Sequence, residues 1–116
     1  MATPYQAILI TTPDSKTGLA LARGLVGERL AACGNVVPGV RSVYRWQGKV
    51  EESPEQLLVA KTRRSLLRKL TRYVQENHPY AIPEVLALPV LGGNPAYLGW
   101  LGESTGSARP KPRSKR

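Results

Sequence analysis

Side chains that bind soft metal ions are scarce in this chain, which has one histidine (His78), one cysteine (Cys33) and one methionine. Copper and zinc sites in proteins take two to four nitrogen or sulfur ligands. A single copy of the chain therefore supplies such a site only if Cys33 and His78 meet. In a symmetric oligomer, copies of either side chain could converge from neighbouring subunits and complete the site.

Both residues also have an ordinary structural interpretation, which we favour. Cys33 follows Ala31 and Ala32 at the start of a predicted strand, and a free cysteine is usually a small buried hydrophobic residue. His78 precedes Pro79 in a predicted loop, where its ring would form hydrogen bonds at a subunit boundary. Metal binding is the alternative for both residues.

A second group of polar and aromatic residues offers different chemistry. It consists of Trp46, Lys61, Tyr80 and Glu84. Lys61 ends one predicted strand and Glu84 begins another, so antiparallel pairing could bring them close. Such a group could line a pocket for a small anion or a metal ion. It could equally form an ion pair and aromatic packing between subunits, which needs no ligand.

Catalytic motifs are missing, and we expect neither an enzyme nor an organic cofactor. The sequence has no Ser/His/Asp arrangement and no nucleophile elbow. Glu51 and Glu52 are adjacent, so on a strand they point to opposite faces and cannot act as a pair. Gly92 and Gly93 precede Asn94 and resemble a phosphate loop only weakly, because Pro95 removes one backbone donor. A helix cap at Asn94 is the better interpretation.

The charge of the chain is +9 over 116 residues and is unevenly spread. Residues 107–116 contain five bases, no acid and no large apolar side chain. Such a segment cannot bury enough surface to offset its ordering entropy. We therefore expect one domain over residues 1–103 and a disordered basic tail over residues 104–116.

Nucleic acid is a possible partner of so basic a chain, but we rank it as unlikely. Arg64, Arg68 and Arg72 recur at helical spacing, which is typical of a solvated helix face. The central strands lack the aromatic side chains on which RNA-recognition modules stack bases. The tail could still add nonspecific, salt-sensitive affinity.

The single cysteine and the absence of a long apolar run indicate a cytoplasmic protein with no membrane partner. One cysteine cannot form an intrachain disulfide, which fits a reducing compartment. No apolar run approaches the roughly 18 residues that a membrane-spanning helix needs. The first residues also lack the pattern of a secretory signal.

Hydrophobic periodicity predicts the element order β-α-β-β-α-β-α. Strands are predicted at 6–12, 32–46, 49–62 and 84–90, and helices after Asp14, at 64–76 and after Asn94. The first helix is expected to bury Leu19, Ala22, Val26 and Leu30. This order predicts an α+β fold, a ferredoxin-like βαββαβ sandwich with a C-terminal helix.

The second and third strands are predicted to form a long central β-hairpin. Pro38-Gly39 would interrupt the second strand as a bulge, and Gln47-Gly48 would form the tight turn. Tyr44 and Trp46 then share one face, with Lys49 just after the turn. Exposed aromatic side chains need cover, so we expect this hairpin to hold an oligomer together.

Several segments, in this order and spacing, resemble the CutA family of divalent-ion (copper) tolerance proteins. They are Glu28–Cys33, Asn35–Gly39, Ser42–Lys49, Lys61-Thr62, His78–Tyr80, Pro83-Glu84 and Gly93-Asn94, followed by Tyr97, Leu98 and Trp100. The resemblance implies a ferredoxin-like homotrimer, similar in plan to nitrogen-regulatory signalling trimers. In it the long hairpins reach neighbouring subunits, and Trp46, Lys61, Tyr80 and Glu84 lie around an intersubunit cleft.

The resemblance also implies a link to divalent metal ions, with copper foremost. In some relatives a cysteine at the end of the first strand and two histidines before Pro-Tyr are proposed copper ligands. Thr11 or Thr12 stands at the first position here, and Asn77 replaces the first histidine. Only His78 remains of that set, which weakens a copper site.

We therefore expect a cytoplasmic homotrimer that binds copper or another divalent metal ion and takes part in the response to metal ions. A trimeric interaction scaffold, or a sensor of a small molecule or anion, is the first alternative. A nonspecific nucleic-acid binder that uses the basic tail is the second.

Overall fold

The computed structural model describes residues 3–106 and confirms the predicted α+β fold. A four-stranded antiparallel sheet has the order β2-β3-β1-β4. The elements are β1 (Tyr5–Thr12), α1 (Ser15–Gly27), β2 (Cys33–Trp46), β3 (Lys49–Arg63), α2 (Leu67–Asn77), β4 (Leu86–Pro89) and α3 (Pro95–Glu103). Within residues 3–106, no helix has the length and apolar character needed to cross a membrane.

The main core lies between one face of the sheet and the two helices α1 and α2. Alternation along the strands places Ile8 and Ile10 of β1 opposite Ala60 and Leu58 of β3, and all four are fully buried. The helices contribute Leu21, Ala22, Leu25, Leu70 and Val74 to the same cluster. Side chains of the intervening residues point to the other face of the sheet.

The predicted buried face of α1 was wrong in part. Leu19 and Val26 are about 40% exposed, at 41% and 40%, whereas Leu21 and Leu25 are buried. The helix is turned so that Gly18 lies against Val36, where an added Cβ would come within 3.2 Å of a methyl group. Its start follows the prediction, because the Asp14 carboxylate accepts a hydrogen bond from the Thr17 N–H. That bond lowers the pKa of Asp14.

The terminal helix α3 packs at one end of the opposite sheet face. Arg63, whose partner across the sheet is Tyr5, donates hydrogen bonds to the Gly102 carbonyl and to the Thr105 hydroxyl. Thr105 is 1% exposed, so the packed chain continues past the expected domain end at residue 103. Residues 107–116, most of the predicted tail, lie outside the described residues.

The central hairpin has the predicted bulge and turn, and its return strand is continuous. The register of β2 and β3 shifts between Val37 and Val40, and Gly39 there has a φ of +81°. Gln47 and Gly48, with φ values of 50° and 81°, form the turn. β3 runs without a break through Pro54, because β1 ends at Thr12, the partner of Gln56, and leaves that edge of β3 unpaired beyond Gln56. A proline is tolerated at such an edge.

Two predicted elements start or end at different residues. The second helix opens with a 3-10 turn over Arg64–Leu66 before α2 begins. The fourth strand covers Leu86–Pro89 instead of 84–90, because it pairs only with Gln6–Leu9 of β1. Glu84 therefore precedes the strand and belongs to the loop that follows α2.

Candidate functional site

A depression of about 530 Å³ lies where the hairpin leaves the sheet. Such a volume falls within the range of small-ligand sites. The walls come from β1, both hairpin strands and the loop between α2 and β4. We call it the hairpin-base depression, and its polar and aromatic residues are Thr11, Ser42, Tyr44, Trp46, Glu55, Tyr80 and Glu84.

Glu55 and Tyr80 join the hairpin to the loop after α2. The Tyr80 hydroxyl donates a 2.6 Å hydrogen bond to Glu55 Oε2. Glu55 is only 7% exposed although it carries a carboxylate. The hydrogen bond from Tyr80 offsets part of the cost of removing that carboxylate from water. Burial and then the bond to Glu55 raise the pKa of Tyr80 well above its usual value. The hydroxyl therefore remains a protonated donor at physiological pH.

His78 is buried beside this pair, and both of its ring nitrogens form hydrogen bonds. Nε2 lies 2.8 Å from the Thr11 carbonyl oxygen, and Nδ1 accepts from the Tyr80 N–H at 3.1 Å. The pattern fits a ring that is protonated at Nε2. A metal ion could bind His78 only by displacing one of these partners. Within one chain His78 is a hydrogen-bonded loop histidine, and its place at a subunit boundary stays a prediction.

Cys33 lies at a different place on the sheet, half-buried beside Tyr97 of α3. Its sulfur is 3.7 Å from Asn35 Oδ1 and 3.9 Å from the Tyr97 hydroxyl. Cys33 pairs with Lys61, and Lys61 pairs with Ala7 of β1. The Thr11 carbonyl that contacts His78 is four residues further along β1, or about 13 Å. Cys33 and His78 therefore do not meet within one chain.

Lys61 and Glu84 are also separated, because β1 lies between β3 and β4. The Lys61 ammonium donates a 2.6 Å hydrogen bond to Asn35 Oδ1. Trp46, Tyr80 and Glu84, by contrast, all line the hairpin-base depression. One chain thus brings together three of the four residues predicted to share a cleft.

The two remaining hairpin residues have separate positions. Tyr44 lines the depression, and its hydroxyl is 3.2 Å from Ser53 Oγ. Lys49 pairs with Trp46 next to the turn. Sequence reasoning missed Glu55. The only signal was its position, an acid placed just before an apolar run and on the same strand face as Leu57.

The depression has the chemistry of a cation site. Two carboxylates, Glu55 and Glu84, line it together with tyrosine, serine and threonine hydroxyls, and no lysine, arginine or histidine is among its lining residues. Such a lining suits a cation better than a small anion. Oxygen donors suit Mg²⁺, Ca²⁺ and Mn²⁺, whereas copper prefers imidazole and thiolate. Cys33 and His78 do not provide a copper site within one chain.

Within residues 3–106, no three His, Cys, Asp or Glu side chains cluster closely enough to hold a metal ion. A complete ligand set would need the backbone, hydroxyl groups, water or another chain. The hairpin-base depression is partly open to solvent, which leaves room for such additional ligands. Metal binding by one chain alone is therefore expected to be weak.

Comparison with known proteins gives consistent matches over nearly the whole described chain. The family model described as "CutA1 divalent ion tolerance protein" matches residues 6–104. "Protein CutA, chloroplastic" from Arabidopsis thaliana is 51% identical over 88% of this chain. "Divalent-cation tolerance protein CutA" from Thermus thermophilus is 50% identical over 87% of this chain and 98% of its own length.

A solved structure supports the same relationship. The crystal structure of CutA1 from Oryza sativa superposes with a TM-score of 0.88 at 48% identity, covering 92% of this chain and 98% of that one. The chain spans 56% and 58% of the length of the Arabidopsis and rice sequences that it matches. The similarity therefore concerns the folded domain.

Proposed function

The chain belongs to the CutA1 divalent ion tolerance family, and from that premise we propose that it is a cytoplasmic homotrimer that binds divalent cations weakly. The observation that supports this most is the pair of carboxylates, Glu55 and Glu84, in the hairpin-base depression. In this proposal the chain is a binding protein and not an enzyme, and it acts in the response to metal ions.

The lining of the depression favours ions that prefer oxygen ligands, and it is less suited to copper. Glu84 is exposed and free to reorient, while Glu55 is held by Tyr80. Copper would need one of the nitrogens of His78, at the expense of a hydrogen bond to Thr11 or Tyr80. Copper binding therefore requires ligands from more than one subunit in this proposal.

Exposed apolar surface supports the trimer. On the hairpin, Val43 and Val50 are 64% and 65% exposed, and Trp46 is 44% exposed. The sheet face opposite the core also exposes Val37 and Leu88. A ring in which each hairpin covers the sheet of its neighbour would bury both surfaces with one repeated contact. The same ring would close the open side of each depression.

A titration with Mn²⁺, which prefers oxygen ligands, tests the proposed site. We expect saturable binding by the intact protein and an affinity at least about tenfold lower for Glu84→Gln, since loss of even an indirect metal partner has that effect. Isothermal titration calorimetry at fixed protein concentration measures it.

Glu76→Gln is the matched control, because Glu76 is an exposed acid on α2 outside the depression. It removes the same charge and should leave the affinity for Mn²⁺ unchanged. Equal affinities of the Glu84 and Glu76 variants, or no saturable binding by the intact protein, would contradict the proposed site.

Aromatic residues in the depression favour a second candidate function, a sensor of a small organic cation. Trp46, Tyr44 and Tyr80 lie with the two carboxylates in the same lining. Aromatic faces bind ammonium groups through cation–π interactions. Displacement of Mn²⁺ by tetramethylammonium at the same site would favour this function over metal binding. The anion sensor considered from the sequence finds no support among the lining residues.

A further inference from the structure

A basic groove runs along the outer side of α2. It is about 840 Å³ in volume, and Arg64, Ser65, Arg68, Lys69, Thr71 and Arg72 line it. The four basic residues are all exposed, and no acid is among the lining residues. Arginines four residues apart on a helix repeat about every 6 Å. The groove thus presents a line of positive charge along the exposed side of this segment.

The charge of this groove is not neutralised by the described part of the chain. None of Arg64, Arg68, Lys69 and Arg72 has a side-chain hydrogen bond or ion pair within residues 3–106. The ion pair of Arg41 with Glu52 lies on the hairpin. Like charges on one helix repel each other and are unfavourable by themselves. An anion placed between them would remove that repulsion.

A second depression adjoins the groove on the side of the C-terminal residues. It shares Ser65 and Lys69 with the α2 groove, and it also contains Arg29, Arg63 and Gly106, with Glu28 as its one acid. The described chain ends at Gly106, and the following ten residues carry five bases and no acid.

The position of α2 keeps the groove accessible in an assembly. Leu70 and Val74 pack on the core face of the sheet, and the arginines lie on the solvent side of the same helix. The hairpin-base depression contains Thr11, which points away from that core face. An oligomer formed through the hairpin would present one α2 groove for each copy of the chain.

We propose that the α2 groove binds the phosphate backbone of single-stranded nucleic acid without sequence preference. Arginine guanidinium groups match phosphate oxygens with two parallel hydrogen bonds. No aromatic side chain lines the groove, so bases would not stack there. Helical spacing alone fitted a solvated face, but four unpaired bases with no acid among the lining residues favour a polyanion. This inference is independent of the proposed cation site.

An anionic membrane is a less suitable partner for the same charges. A membrane-surface helix combines basic residues with a large apolar face directed at the lipid. The groove-lining apolar residue of α2 is Leu67, and it is half-buried. Residues 107–116 contain no large apolar side chain.

Fluorescence anisotropy with a labelled 20-nucleotide oligouridylate and the full-length protein tests the proposal. We compare Arg68→Gln/Arg72→Gln with Lys16→Gln/Arg23→Gln, whose two bases are exposed on α1 outside the groove. Both pairs remove the same charge. We expect the affinity of the intact protein to fall steeply with salt.

The α2 pair should weaken binding several-fold and reduce the slope of log K against log salt by about 1.4, for two lost phosphate contacts. The α1 pair should keep the slope of the intact protein. Equal slopes and affinities for the two pairs would overturn the proposal. So would tighter binding to vesicles of phosphatidylserine and phosphatidylcholine than to the oligouridylate.

Discussion

At the residue scale, Glu55, Tyr80 and His78 form one connected group. Tyr80 donates its hydroxyl to Glu55 and its backbone N–H to His78 Nδ1, and its ring lies 4.6 Å from that of His78 between centroids. His78 Nε2 in turn bonds the Thr11 carbonyl. This group fixes the loop after α2 against β1 and the hairpin, which forms one wall of the candidate site.

Replacement of Tyr80 by phenylalanine tests that group. Tyr80→Phe leaves the buried Glu55 carboxylate without its hydroxyl donor, and we expect a loss of about 1–3 kcal/mol in the free energy of unfolding. Tyr44→Phe removes an exposed hydroxyl that contacts Ser53 and should change stability by less than about 0.5 kcal/mol. Urea denaturation at fixed protein concentration measures both changes. Equal losses of stability would contradict a stabilising hydrogen bond from Tyr80 to Glu55.

The raised pKa of Tyr80 also predicts the direction of a pH effect. In the unfolded chain the phenol ionises near its ordinary pKa of 10.0, while in the folded protein it keeps its proton to higher pH. The stability that Tyr80 contributes is therefore complete below pH 10.0 and decreases as pH rises further. The difference in unfolding free energy between the intact protein and Tyr80→Phe should shrink in the same range.

At the scale of elements, the hairpin depends on two glycines with positive φ. Gly39 lies at the bulge that bends β2, and Gly48 lies in the turn. A Cβ added at either glycine would meet no atom within 4 Å. The constraint at both positions is therefore the positive φ of the backbone alone. The bulge and the turn direct the aromatic face of the hairpin, with Tyr44 and Trp46, towards the depression.

The same substitution at two glycines separates backbone conformation from packing. Gly48→Ala places a side chain at a φ of +81° and should destabilise the protein by about 1–2 kcal/mol. Gly27 is the last residue of α1, and a Cβ added there would meet no atom within 4 Å. Gly27→Ala should therefore be neutral or stabilise the protein by up to about 1 kcal/mol. Thermal unfolding at equal concentrations compares them, and a neutral Gly48→Ala would show that the turn relaxes without cost.

At the scale of the whole molecule, the exposed apolar surface of the hairpin is the feature that a single chain leaves unexplained. Val43 and Val50 on one face of the hairpin, and Trp46 on the other, are 64%, 65% and 44% exposed in a single chain. A chain of 116 residues also has a modest core of its own. Contacts between copies would supply the missing burial.

Truncation of Trp46 tests whether the hairpin holds an oligomer. We expect Trp46→Ala to weaken assembly by at least about tenfold in dissociation constant, since buried aromatic anchors dominate interfaces, while helix content remains unchanged. Gln75→Ala, on exposed α2 surface, should leave assembly unaffected. Analytical ultracentrifugation and circular dichroism provide the two readouts, and an intact protein that sediments as a 12.7 kDa monomer at micromolar concentration would refute the oligomer.

The sequence by itself determined the elements and their local signals. Alternating and helical periodicities identified the four strands and three helices, and the Gln47-Gly48 turn, the bulge at Pro38-Gly39 and the Asn94 cap were all confirmed. These features depend on the conformational preferences of neighbouring residues. The set of short segments that resembles one family was also sufficient to identify that family.

Only the tertiary structure decided which distant residues meet. The strand order separates Lys61 from Glu84 by β1, and the approach of Gly18 to Val36 selects the buried face of α1. Burial of Glu55 against Tyr80, which local pattern does not indicate, makes the depression acidic. Such contacts depend on the packing of elements far apart in sequence, and periodicity describes one element at a time.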